Sequence, residues 1–155
     1  VDVLGAGTDV TTIDGNSLGS VVVGNGVDNA TKLDGFTITN GSGTQEQNDV
    51  RGGGIYLYES HPTISNCAIV ANVVSNAGST TSTSIEAFGG GMCNYYSDPK
   101  IINCIFTSNI GVHGGAVYNY YHHRSLRGAV LNLIRPMIVV GAQGYGTVPW
   151  HHRRL

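Results

Sequence analysis

The chain has 155 residues, 41% of them hydrophobic and only 12% charged, with 23 glycines and a formal charge of −2. That is one domain's worth of chain with enough apolar residues for a core, and its wealth of Gly, Asn, Thr and Val, all weak helix formers, excludes a helical bundle in favour of short strands and tight corners. The charge is uneven: residues 1–121 hold all ten acids with only Lys32, Arg51 and Lys100, while residues 122–155 hold five arginines and no acid, so the body lacks the basic face that nucleic-acid binding needs.

The opening residues lack the charged and apolar regions of a signal peptide, and a start without Met suggests a mature or excised form. A short word then begins to recur: Ile13-Asp14-Gly15, Leu33-Asp34-Gly35-Phe36-Thr37-Ile38, Ile64-Ser65-Asn66-Cys67-Ala68-Ile69 and Ile101-Ile102-Asn103-Cys104-Ile105-Phe106. In its fuller copies apolar residues fall at a step of three and then of two, which breaks simple strand alternation once and predicts a bend at Gly15, Gly35, Asn66 and Asn103. Glycine and asparagine are the residues that accept a left-handed bend at least cost. Asp14 and Asp34 fall at matching positions of the first two copies. They would attract calcium, but that ion needs several more oxygen ligands, so no cofactor is expected.

Between these words lie residues 41–49 and 76–84, low-complexity stretches expected as solvated loops bulging from corners. The segment from Gly52 to Cys67 returns 37 residues later from Gly89 to Cys104, and its first half returns 25 residues further on from Gly114 to Tyr121. Such self-similarity marks a solenoid, in which stacked units build one continuous core. In register, Ile55, Met92 and Val117 form an apolar column, and Tyr58, Tyr95 and Tyr120 lie three places on, facing outward. Tyr96 and Tyr121 stand beside them. Planar rings repeated at the strand spacing offer apolar faces and hydroxyls to sugar rings; the alternative is that tyrosine simply favours strands and pairs with itself.

His61, Asp98 and His123 share one repeat position, a 2-His-1-carboxylate set. Each sits at a corner beside Pro62, Pro99 or Arg124, and a linear column is a poor coordination shell, so surface turn residues are the better reading and no metal is expected. Cys67 and Cys104 are expected in the core as stacked thiols rather than a disulfide, because parallel side chains hold the Cβ atoms too far apart. Cys93, in an outward column, is expected to be the reactive thiol. Asn72 and Asn109 are expected to bond to each other and to corner backbone.

Leu126-Arg127-Gly128-Ala129-Val130-Leu131 is a weak further copy of the bend word, after which residues 132–155 carry no repeat. That basic tail is either a cap over the open end or an out-of-frame or truncated segment. No apolar run reaches the length of a membrane span.

Gly114-Gly115-Ala116-Val117 and Phe106-Thr107-Ser108-Asn109 resemble the two words of the polymorphic outer-membrane protein repeat, and the whole pattern resembles the pectate-lyase-like fold. The resemblance implies an all-β, right-handed parallel β-helix of about four to five coils over residues 1–131, with an irregular tail over 132–155. It further implies an extracellular or cell-surface protein with more coils or domains in its parent chain. The expected role is a non-catalytic stalk, adhesive surface or carbohydrate-contacting module with a polysaccharide or a cell surface as partner. The alternative is a fragment of a polysaccharide lyase or glycoside hydrolase whose active residues lie on other coils. No catalytic residue is carried across from those enzymes, because the acids are scattered in sequence and Arg51 has no acidic cluster in its own column.

Overall fold

A computed structural model describes residues 1–75 and 86–120 together with the strand Ile138–Val140. The described residues are all-β, with no helix among them, hence none long and apolar enough to cross a membrane. In chain order the strands are β1 (Asp2–Leu4), β2 (Thr12–Asp14), β3 (Val22–Asn25), β4 (Lys32–Asp34), β5 (Thr37–Thr39), β6 (Thr44–Glu46), β7 (Asp49–Arg51) and β8 (Ile55–Tyr58). They continue as β9 (Thr63–Ser65), β10 (Ala68–Val70), β11 (Glu86–Phe88), β12 (Met92–Tyr95), β13 (Lys100–Ile102), β14 (Ile105–Thr107), β15 (Val117–Tyr120) and β16 (Ile138–Val140).

These short strands assemble into parallel sheets, each receiving one strand per repeat. One sheet runs β1-β4-β9-β13, a second β2-β5-β10-β14-β16, and a third β3-β8-β12-β15. The doubled segment is therefore doubled in space: Ile64 pairs with Ile101, and Met92 lies between Ile55 and Val117. Like residues stack, as parallel strands at the sheet spacing require. Ile38, Ile69 and Phe106 form one fully buried column, Ile55 and Met92 begin another, and Cys67 and Cys104 are buried free thiols. Each such large apolar side chain contributes roughly 2 kcal/mol by leaving water.

The corners are columns too. Gly35, Asn66 and Asn103 have φ of 81°, 50° and 50°, the left-handed bend that their residue types predicted. The asparagines link along the column, Asn103 Nδ2 donating to Asn66 Oδ1 at 2.7 Å and Asn66 Nδ2 to Asp34 Oδ1 at 2.8 Å. Lys32 pairs with the same Asp34 side chain at 2.5 Å. These two partners, Lys32 first, hold the Asp34 carboxyl below the usual range.

Three expectations change. Ile13-Asp14-Gly15 is not the first bend word, since Ile13 pairs with Ile38. The true first copy is Val3-Leu4-Gly5, with Val3 beside Leu33. Gly15 therefore falls beside Asn40 at the next corner, and Asp14 and Asp34 belong to different sheets, so they share no column in which to bind calcium. Residues 41–49 are no simple loop: β6 lies within them and pairs antiparallel with β7, which pairs parallel with β11. A further left-handed column, Asn40, Ala71 and Ser108 at φ of 60°, 54° and 55°, follows the second sheet and had no sequence signature.

Residues 76–85, Tyr121, His123, the 126–131 word and most of the tail lie outside the described residues. Within the tail, β16 joins the second sheet, pairing Phe106 with Val139. At the opposite end β1, β2 and β3 are the terminal strands of their sheets, and Val3, Leu4, Val10, Leu18 and Val23 are exposed there.

Candidate functional site

The third sheet positions the aromatic residues. Along β8, β12 and β15 side chains alternate, Ile55 and Leu57 inward and Tyr56 and Tyr58 outward, so residues in register emerge as rows. Tyr58 stacks on Tyr95 with centroids 5.7 Å apart and planes 13° from parallel, and Tyr95 stacks on Tyr120 at 4.7 Å and 5°. Tyr96, at a left-handed corner with φ 51°, turns edge-on to Tyr95 at 4.6 Å. Four of the five tyrosines singled out in the sequence thus meet in one cluster; Tyr121 lies outside the described residues.

Their geometry alters what they can do. Because the rings face one another along the row, they largely cover each other's faces, as cross-strand aromatic pairs do. The row therefore offers a ligand ring edges rather than ring faces. Beside them Glu59 pushes the Tyr58 hydroxyl's pKa above its ordinary value, by its charge first and its hydrogen bond second.

The sequence did not reveal the charged cluster next to this row. The β6–β7 hairpin brings Glu46, Asp49 and Arg51 against the outer side of β8 and β12. Arg51 Nη1 donates to Glu46 Oε2 at 2.5 Å and its Nη2 to Asp49 Oδ2 at 2.6 Å. The Tyr56 hydroxyl donates to the same Glu46 oxygen at 2.5 Å. The Arg51 guanidinium carbon lies 4.2 Å from the Tyr95 ring centroid, within cation–π range. So Arg51, whose own column holds Phe88 and no acid, is held instead by two carboxylates of its own hairpin, and only 13% of its side chain is exposed. On the neighbouring strand Glu86 pairs with His113, and Phe88 stacks on that imidazole at 5.1 Å. The available signal was the alternation Glu46, Asp49, Arg51 in a stretch whose Gly, Ser and Gln content masked its strands.

This cluster also overturns the reading of Cys93. Cys93 does sit between Tyr56 and Tyr118 in the outward row, yet it is buried, 1% exposed. Burial pushes its thiol up to about 12, which leaves almost no thiolate at neutral pH. Native protein should therefore resist Ellman's reagent at all three cysteines. Arg51→Ala, which releases the hairpin from Tyr95, should expose Cys93 and raise its labelling rate at least about tenfold, the range in which local opening controls access. Labelling of the native thiols as fast as in urea would refute that burial.

Between the hairpin and the tyrosine row lies a cleft of about 90 Å³, lined by Asp49, Arg51, Phe88, Tyr95, Tyr118 and Tyr120 among others. It combines aromatic walls with one charged pair. His61 and Asp98 do fall at one position, but His61 Nδ1 accepts the Asp98 backbone N–H at 3.2 Å, a corner contact. No group of three His, Cys, Asp or Glu suited to a metal occurs among the described residues. No protein-family model, curated protein or solved structure matches this chain.

Proposed function

We propose that the chain is a segment of a right-handed parallel β-helix of the pectate-lyase-like kind, similar to the polymorphic outer-membrane protein repeat. In this reading it belongs to a larger secreted or cell-surface protein and serves as a stalk whose tyrosine face contacts carbohydrate. The observation that carries the reading is the aligned row Tyr58, Tyr95 and Tyr120, with Tyr96 edge-on, of which Tyr95 and Tyr120 line the cleft beside Arg51 and Asp49. Hydroxyls repeated at strand spacing suit a polymer of repeated hydroxyl-bearing units. The exposed apolar residues and terminal strands β1, β2 and β3 fit a continuation by further repeats of the parent chain.

Affinity electrophoresis through gels containing plant or bacterial polysaccharides tests this. The native chain should be retarded by at least one polymer, and Tyr95→Ala, which removes the middle ring of the row, should weaken binding about tenfold, equivalent to about 1.4 kcal/mol. Equal retardation of native and variant chains, or none in any gel, would end the reading.

A second reading, a fragment of a polysaccharide lyase or glycoside hydrolase, draws support from the acids gathered round Arg51. Both carboxylates there are engaged with the guanidinium, which favours a positioning role over acid–base chemistry. Release of unsaturated or reducing ends from a retarding polymer would reverse that preference.

A further inference from the structure

Resting on the carbohydrate reading above, we infer that the tyrosine face takes uncharged sugar polymers and excludes acidic ones such as polyuronates. Among the described residues, three carboxylates border the face: Glu59 follows Tyr58 at the corner, while Glu46 and Asp49 stand on the hairpin beside Tyr95. Among the described residues one cation stands against them, Arg51. Its two terminal nitrogens are each occupied, one by Glu46 and one by Asp49, and its side chain is mostly covered. The two described lysines lie on β4 and β13 of another sheet, and Lys32 is engaged with Asp34.

Recognition of a sugar carboxylate would need a free guanidinium fork or an ammonium at the binding face. Here an incoming carboxylate meets a surface that is locally negative in its described residues, and the fork of Arg51 is already filled. A hydroxyl or ester meets no such repulsion and finds tyrosine hydroxyls and carboxylate acceptors for its hydrogen bonds. The exclusion is electrostatic, so it should weaken as salt shortens the screening length.

One polymer in two charge states provides the test: highly methyl-esterified homogalacturonan and the same material after saponification, run in affinity gels at low and high salt, with calcium and with chelator. The native chain should be retarded several-fold more by the ester than by the acid at low salt, with the gap narrowing at high salt. Asp49→Asn removes a negative charge and loosens the hold on one guanidinium nitrogen, so the ratio of acid to ester retardation should rise several-fold, and an unchanged ratio would overturn the inference. Equal or stronger retention by the acid, with or without calcium, overturns the inference while leaving the carbohydrate reading standing. If neither form nor any neutral polymer retards the chain, both fall together.

Discussion

Replacing Gly90 with alanine should destabilise the fold by about 3 kcal/mol or more, the upper range for forcing atoms into a packed interior. An added Cβ would lie well inside van der Waals distance of the Ile110 carbonyl and 2.6 Å from the Gly115 carbonyl oxygen. Both obstacles are backbone, and neither can rotate away. The same backbone is tied into a ladder in which Gly90 N donates to Gly114 O at 3.0 Å and Gly54 N to Gly90 O at 3.1 Å, so relief would break bonds in three repeats. Gly26→Ala is the control, since Gly26 has φ of 64° but an added Cβ there would meet nothing within 4 Å; it should cost only the left-handed penalty of about 1 kcal/mol. Urea unfolding followed by circular dichroism gives both values. Equal costs at the two sites would mean that crowding between repeats is not what demands glycine.

Asn72→Ala should be nearly as damaging, at about 3 kcal/mol. Asn72 is fully buried, with its Oδ1 accepting from Gly41 N at 2.9 Å and its Nδ2 donating to Ile38 O and Asn109 Oδ1 at 3.0 Å each. Truncation strands the Gly41 N–H and removes a donor from three acceptors, Ile38 O, Val70 O and Asn109 Oδ1, and a buried group left unpaired costs about 1–3 kcal/mol. Asn109 repeats the arrangement one repeat on, donating to Ile69 O at 2.8 Å. A double-mutant cycle between Asn72 and Asn109 should return a coupling above about 1 kcal/mol, as expected for contacting members of one network. Additive losses would show that the two amides act separately.

Much of this order was legible because the repeats are written in residues whose physics is specific. Asn66 and Asn103 advertise a left-handed bend, and Ile64 and Ile101 advertise the core beneath it. Asn72 and Asn109 advertised their amide pairing because the same residue closed the same word twice. What escaped were features with no distinctive residue. Ala71 and Ser108 adopt the same left-handed conformation as Asn40 because the residues stacked above and below them fix the corner, and neither type signals it. The word Ile13-Asp14-Gly15 matched Leu33-Asp34-Gly35 by composition, whereas hydrogen bonding aligned Val3-Leu4-Gly5 with it, a copy that had lost its aspartate.

The functional surface was half legible for a similar reason. The tyrosine row follows from strand register, a local rule extended by repetition. The Arg51 cluster depends on a hairpin folding sideways onto the row, and no periodicity reports that. Cys93 was misjudged through the same omission: it faces outward from its own sheet but inward beneath the Arg51, Glu46 and Tyr56 bonds.

The pairing of each strand in the three principal sheets with the one laid down a repeat earlier bears on biosynthesis. As the chain leaves the ribosome, each new strand meets an edge already formed by the residues before it. In the third sheet Ile55 docks on Val22, Met92 on Ile55 and Val117 on Met92, at sequence separations of 33, 37 and 25 residues. Among the described residues, no strand of these sheets after the first repeat waits for a distant C-terminal partner before it can dock. Growth by templating on the preceding repeat suits a molecule made vectorially.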